Sequence, residues 1–380
     1  MSEERQGSRL HLADLSIEGF RGIEKLSIPR LGRVTLLTGR NSVGKTTVLD
    51  AVRVYAARGS YRVLYELLEY RDEFASASEE DSGRKSSPDI MAIFHGRDVS
   101  RRGKISIGPS STKDLLRIEA ASLDAEQTAH LQRMVTGDIS DAHPRALNVE
   151  FQGSKRVFPE FFAPAGLFGY RSLGRNPFSG LLNQEDPPTE VVCLSTGPNL
   201  LSNEDMARFW DAVALTDDED MALTSLRLIL DNEVDRVAVI GDNKGLGRRV
   251  VVKLHSEKRP VPLKSLGDGP SRLFSVALAL ANSRDGFLLI DESENGIHHS
   301  VQRDYWRMVL ETADKNNVQV LATTHSYDCV RGFAQAATEF EGVNGILVRV
   351  ERKQRGLRAV EYSERNLRAV AKQPVGIEVR

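Results

Sequence analysis

Gly39-Arg40-Asn41-Ser42-Val43-Gly44-Lys45-Thr46 has the spacing G-x-x-x-x-G-K-T, and its residue types suit a polyphosphate. Two glycines let the backbone curl until successive N–H groups point at one phosphate. Lys45 brings a positive point charge to the β- and γ-phosphates of a nucleoside triphosphate, and the Thr46 hydroxyl is a hard oxygen ligand for Mg²⁺. The flanks predict the frame such a loop requires. Residues 34–38 read as a buried strand entering it. Residues 47–52, beginning at Thr47, read as a helix leaving it, whose N-terminal dipole favours an anion. The expected ligands are ATP and Mg²⁺.

A second apolar run, Phe287-Leu288-Leu289-Ile290, ends in two carboxylates, Asp291 and Glu292. At a strand terminus Asp291 is expected to hold Mg²⁺ directly or through water, and Glu292 to polarise a water for in-line attack on the γ-phosphate. A third run, Val320-Leu321-Ala322, ends in Thr323-Thr324-His325-Ser326 one crossover helix later. That puts His325 on the same sheet edge as Asp291, where an imidazole can hydrogen-bond the γ-phosphate or the attacking water. Upstream, residues 263–272 carry Ser265, Gly267 and Gly269 into the start of an apolar helix, where unpaired N–H groups face outward. Taken alone, that segment reads first as a helix cap.

The elements that must position these motifs follow from hydrophobic period and turn chemistry. Strands are predicted at 12–17 and 26–28, around a turn with Gly19, Phe20, Arg21 and Gly22, and a helix at 61–70. Residues 74–88 are mostly Ser, Glu, Asp, Gly, Arg and Lys and read as a solvated loop. A short helix at 89–95 precedes strands near 104–107, 115–120 and 146–151, which suggest a β-rich outer lobe. Residues 166–198 read as irregular, 203–213 and 221–231 as helices, and 236–254 as a hairpin turning at 241–245. The last third alternates helix 271–282, strand 287–290, helix 302–314 and strand 318–322, which implies a parallel sheet with crossover helices. A final hairpin pairs 346–350 with 357–362.

The expected fold class is therefore α/β of the P-loop NTPase type, with a mixed or parallel sheet, a β-rich lobe and a large helical and irregular insertion. The expected divisions are an N-terminal ATPase lobe at 1–115, the insertion at 116–232, a C-terminal ATPase lobe at 233–345, and a hairpin and tail at 346–380. The 380 residues carry 51 basic and 53 acidic side chains, a net charge of −2 that advertises neither nucleic acid nor an anionic membrane. Two cysteines, Cys193 and Cys329, supply no disulfide framework and no metal-ligand spacing. No apolar run is longer than a strand, so no membrane contact is expected and the expected location is the cytoplasm.

Taken in order, the phosphate loop, the signature-like segment, the Asp-Glu strand and the histidine resemble the ATP-binding-cassette class of P-loop ATPases. The separation of Thr46 from Asp291, 245 residues, sets the chain apart from compact GTPases and kinases. It is similar in this to the non-transporter cassette ATPases, RecF and the chromosome-maintenance proteins, although no heptads mark a coiled coil. A closer resemblance is to the AAA-family ATPases related to the overcoming-lysogenization-defect proteins, which accompany bacterial anti-phage systems. Gly19-Phe20-Arg21-Gly22, the phosphate loop, Ser265-Leu266-Gly267-Asp268-Gly269, Ile290-Asp291-Glu292-Ser293-Glu294-Asn295-Gly296-Ile297-His298 and Ala322-Thr323-Thr324-His325-Ser326 carry it.

That resemblance implies phosphate and Mg²⁺ roles for Lys45 and Thr46, a base in Glu292, a switch in His325, and Asn41 facing the γ-phosphate. It implies a head-to-tail homodimer or higher homo-oligomer, in which Ser265, Gly267 and Gly269 complete the partner's site and the loop from Asn295 to His298 crosses the interface. The signature departs from the Leu-Ser-Gly-Gly of transporters, and His95 stands in for an absent Gln loop; Arg21 is a further candidate. His298-His299 finds no third metal ligand in the sequence. No Asp-x-Asp pair follows His325, so the expectation is an ATPase without its own Toprim nuclease, controlling a separate effector, for instance a Toprim-type nuclease, in phage defence. The rival is a RecF-like ATPase acting on DNA through Lys244, Arg248, Arg249, Lys253, Lys258, Arg259, Arg352, Lys353 and Arg355. A scaffold that holds ATP with little turnover is a third reading.

Overall fold

Strands β1 (Leu15–Phe20) and β2 (Ile23–Ile28) pair antiparallel around the turn at Arg21, and β3 (Val34–Thr38) enters the phosphate loop. Helices α1 (Lys45–Ala56) and α2 (Tyr61–Tyr70) leave it, followed by β4 (Lys104–Gly108), β5 (Leu116–Ser122), β6 (Arg145–Phe151) and β7 (Ser154–Pro159). Next come β8 (Cys193–Thr196), α3 (Asn203–Val213), α4 (Asp217–Ile229), β9 (Val234–Gly241), β10 (Arg248–Leu254) and β11 (Val261–Pro262). The last third holds α5 (Asp268–Ala281), β12 (Phe287–Ile290), α6 (Gln302–Lys315), β13 (Gln319–Thr323), α7 (Tyr327–Glu339), β14 (Gly345–Lys353), β15 (Gly356–Glu361) and α8 (Glu364–Lys372). This computed structural model describes residues 10–74, 89–97, 103–122, 145–159, 190–241, 247–340, 343–354 and 356–372. Residues 75–88 of the expected loop at 74–88, the stretch 160–189, residues 242–245 of the expected turn at 241–245 with Lys244, and Arg355 lie outside the described residues.

The class is α/β, as expected. The central sheet runs β15-β14-β3-β13-β12-β8, with every pairing parallel except β14 with β15. Strands β3, β12 and β13 are buried at every position, the pattern of a parallel sheet covered on both faces. Their alternate side chains feed two cores. Leu37, Phe287, Leu289 and Leu321 join α1 and the antiparallel lobe; Leu36, Leu288, Ile290, Val320 and Ala322 join α5, α6 and α7 around Tyr305, Trp306 and Phe333. The register aligns Leu37 with Thr323 and Ala322 with Ile290, so three strands end at one edge.

The second sheet, β2-β1-β4-β5-β6-β7, is antiparallel and continuous across residues 115 and 116. A small sheet, β11-β10-β9, packs with α3, α4 and one side of α5 around Trp210 and Phe274. Helix α5 is buried from Pro270 to Ala281 because cores lie on both sides of it.

Three local expectations change. The stretch read as irregular contains β8, which pairs parallel with β12 at the sheet edge. Its four residues, Cys193-Leu194-Ser195-Thr196, range from exposed (Ser195) to buried (Thr196) and are too mixed in polarity to announce a strand. β1 starts at Leu15 rather than residue 12, because the Leu12 N–H donates to Gln319 Oε1 (2.9 Å) and its carbonyl accepts from Gln319 Nε2 (2.7 Å). Helix α4 starts at Asp217 rather than residue 221, with Thr216 accepting from the Asp218 N–H; its four acidic first-turn residues favour the dipole and mask the apolar period.

Leu288 is fully buried in β12, between β13 and β8. Leu288→Ala is expected to lower the unfolding free energy by about 2–5 kcal/mol in urea titrations. A change below about 0.5 kcal/mol, as at a surface site, would contradict this packing.

Candidate nucleotide-binding site

The phosphate loop is held by backbone geometry before any ligand contact. Gly39 sits at φ +139°, and a Cβ there would lie 2.3 Å from the Val350 carbonyl oxygen, so only glycine fits between β3 and β14. Gly44, at φ +102° in the left-handed region, caps α1, whose first turn contains no acidic residue to offset its partial positive charge. Lys45 Nζ folds back to donate to the carbonyls of Gly39 (2.7 Å) and Arg40 (3.0 Å). Burial pushes its ammonium pKa below the ordinary lysine value, against the opposing pull of Glu294, Asp291 and Glu292. Arg40, Asn41, Ser42 and Val43 line a cavity of about 460 Å³ shared with Arg349 to Lys353 of β14.

The aligned strand ends bring the carboxylates to the loop. Thr46 Oγ1 lies 3.2 and 3.1 Å from the two oxygens of Asp291, across 245 residues of sequence. Hydroxyl and carboxylate are both hard oxygen donors, a pair that would suit Mg²⁺. Among the described residues no group of three or more His, Cys, Asp or Glu could hold a metal independently. Thr323, at the end of β13, donates its hydroxyl to Asp291 Oδ1 and accepts from the Glu292 N–H (2.9 Å), fixing both residues. Glu292 sits at φ +49°, and Asn295 Nδ2 donates to its Oε2 (2.8 Å).

Beneath that turn lies Arg272 of α5, 1% exposed. Its guanidinium donates to the carbonyls of Asp291 (2.8 Å), Glu292 (3.3 Å) and Gly197, and burial lowers its pKa. His325 is tied to Glu294, whose Oε1 accepts from the His325 N–H and lies 2.9 Å from its Nδ1. Thr323, Arg272 and Glu294 were given no role from sequence. A charged residue inside the apolar run of α5 and a polar pair ending an apolar strand were the available signals.

The other candidates form separate groups. Arg21 and His95 meet, since His95 Nδ1 lies 2.8 Å from the Arg21 carbonyl oxygen and Arg21 Nη2 bonds Glu73 (2.6 Å). A cavity of about 450 Å³ next to them also touches Thr47. Ser265 and Gly267 are exposed at the start of α5, and no hydrogen bond among the described residues links them to the phosphate loop. A Cβ on Gly269 would lie 2.9 Å from the Gly296 carbonyl oxygen, so this segment packs on the loop after β12. His298 is exposed, its Nδ1 2.9 Å from Ser300 Oγ, with its ring against His299. Several basic candidates for DNA are engaged: Arg248 bonds Asp211 twice (2.5 and 2.6 Å), and Lys353 bonds Glu351 (2.9 Å). No described helix is long and apolar enough to cross a membrane.

The chain is similar to known proteins to different extents. The chain is 20% identical to the ATP/GTP phosphatase of Helicobacter pylori over 342 residues, 86% of this chain and 89% of that protein. An uncharacterized protein of Methanocaldococcus jannaschii is 30% identical over 115 residues, 30% of this chain and 99% of that protein. Among solved structures, the SMC head bound to the C-winged helix domain of ScpA covers 93% of this chain and 97% of its own, at 12% identity and a TM-score of 0.44. The SMC head domain from Thermotoga maritima covers 93% and 100%, at 12% identity and a TM-score of 0.41. Residues 34–328 match the family described as "AAA domain, putative AbiEii toxin, Type IV TA system". That span runs from the strand feeding the phosphate loop to the helix after His325, well over half of the chain, and the protein belongs to this AAA-domain family.

Proposed function

We propose that this protein is a Mg²⁺-dependent ATPase that works as a nucleotide-driven homodimeric switch. The approach of the Thr46 hydroxyl to within 3.1 Å of the Asp291 carboxylate carries the reading, because a phosphate loop and a metal-holding carboxylate meet there. The loop N–H groups and Lys45 bind the β- and γ-phosphates, and Asn41 faces the γ-phosphate. Thr46 and Asp291 would hold Mg²⁺, which when bound supplies positive charge to the phosphoryl oxygens. Glu292 accepts the proton of the attacking water, and His325 hydrogen-bonds at the γ-phosphate end. Asn295, now on Glu292 Oε2, must release or share that oxygen for the base to work. The H. pylori relative named ATP/GTP phosphatase supports hydrolysis rather than a passive scaffold.

Ser265, Gly267 and Gly269 lie at an accessible helix start, a placement that suits a partner's γ-phosphate in a head-to-tail dimer. The loop through Asn295 and His298 packs beside them and suits the interface. In this reading ATP closes the dimer, hydrolysis reopens it, and the cycle controls a separate effector in the cytoplasm as part of an anti-phage system of the overcoming-lysogenization-defect kind. The RecF-like alternative draws less support, because Arg248 and Lys353 are neutralised by carboxylate partners.

Glu292→Gln is expected to cut steady-state ATP hydrolysis by roughly 10²–10⁴-fold while ATP affinity stays within about threefold. Light scattering should then show an ATP-dependent dimer trapped in this variant. Equal hydrolysis by wild type and variant, or a monomer at every ATP concentration, would contradict the reading. Salt-dependent DNA binding that stimulates hydrolysis would favour the alternative. Thr323→Val keeps the shape of β13 but removes the hydroxyl between Asp291 and Glu292. It is expected to cost about 1–3 kcal/mol of stability in denaturant titrations, with hydrolysis reduced as well.

A further inference from the structure

Glu294 is a buried carboxylate that the catalytic reading leaves without a task. Its side chain is 10% exposed, against 48% for the His325 side chain it holds. Oε1 receives the His325 backbone N–H at 2.9 Å and lies 2.9 Å from the ring Nδ1. Oε2 is buried with no hydrogen-bond partner among the described residues. Burial lowers the Lys45 pKa, and the charge of Glu294 opposes that shift together with Asp291 and Glu292. Glu294 lies in the loop after β12, held by the turn in which the Ile297 N–H bonds its carbonyl (3.0 Å).

An ionised carboxylate only accepts hydrogen bonds, so the nitrogen facing it must carry the proton. In the neutral imidazole this leaves Nε2 with a lone pair and no hydrogen. We infer that Glu294 is a positioning residue that locks His325 in the Nδ1-protonated form, so that Nε2 serves as a hydrogen-bond acceptor for the attacking water. The inference rests on the ATPase reading above and deepens it. The two hydrogens of that water then meet two acceptors, Glu292 and His325 Nε2. One lone pair of its oxygen is left directed at phosphorus. As the O–P bond forms and the bond to the β-phosphate oxygen breaks, one proton passes to Glu292 and the electron pair leaves with ADP. His325 orients the water and takes no proton in this step. The arrangement has the logic of an oriented imidazole backed by a carboxylate, with Glu294 as the orienting group.

The test uses the full chain with ¹⁵N-labelled histidine rings at alkaline pH, where imidazoles are neutral, and His325→Ala to assign the signal. Wild type without nucleotide should show His325 with a protonated Nδ1 and a bare Nε2. Glu294→Leu, which removes the acceptor, should shift the ring towards the Nε2-protonated tautomer, because Nδ1–H is left without a carboxylate to receive it. An Nε2-protonated ring in wild type, or the same spectrum in the variant, would overturn the inference whatever the activity. In kinetics, Glu294→Leu should lower kcat by roughly 10–100-fold with KM for ATP nearly unchanged. The Glu294→Leu/His325→Ala double variant should be no slower than the slower single variant. Losses that multiply, or an unchanged kcat in Glu294→Leu, would overturn the role, with thermal melts confirming that each variant is folded. A wild type with the expected ring signal but no ATP turnover would reject the ATPase reading and leave the pairing standing.

Discussion

The parallel register of β3, β13 and β12 is the constraint on which the rest depends. Pairing Leu37 with Thr323 and Ala322 with Ile290 makes three strands end level. The phosphate loop, His325 and the Asp291-Glu292 pair then rise from one edge although the sequence scatters them. A one-residue slip of any strand would reverse which side chains enter each core, so the two hydrophobic cores enforce the register. Burial of Leu36 and Leu37 on opposite faces is thus linked to the position of Thr46 beside Asp291. Site geometry here is a consequence of core packing.

Polar groups inside this dry region finish the alignment. Arg272 spans the carbonyls of Gly197, Asp291 and Glu292, joining α5, the end of β8 and the turn after β12. A buried guanidinium costs free energy unless its donors are used, and here three carbonyls take its two terminal amino groups while Nε has no partner among the described residues. Thr323 completes the clamp from β13. These contacts hold Glu292 in the left-handed backbone region, a conformation that costs on the order of 1–2 kcal/mol for a residue with a side chain. The signature-like segment enters the same α5 that carries Arg272.

Much of this was legible in the residues themselves. The apolar run at 287–290 and the largely apolar stretches at 34–38 and 318–322 marked the covered strands, and their polar termini marked the site. β8 was not legible: four residues of mixed polarity and burial gain their strand character from β12, a tertiary partner. The role of Arg272 was hidden because a charge in an apolar helix has meaning only once the carbonyls above it are placed. The pairing of Glu294 with His325 joins two loops that only the strand register brings together. Side-chain direction at a strand end is set by the following turn, which hydrophobic period does not encode.

The central claim is that Thr46 and Asp291 form one metal-holding pair at the phosphate loop. Paramagnetic resonance of Mn²⁺ as a stand-in for Mg²⁺, titrated into wild type and Asp291→Asn with ATP, tests it most directly. The account predicts ATP-dependent Mn²⁺ binding in wild type. In Asp291→Asn that binding should weaken by about tenfold or more, while ATP binding without metal is retained. Equal Mn²⁺ affinity in the two proteins would contradict the account.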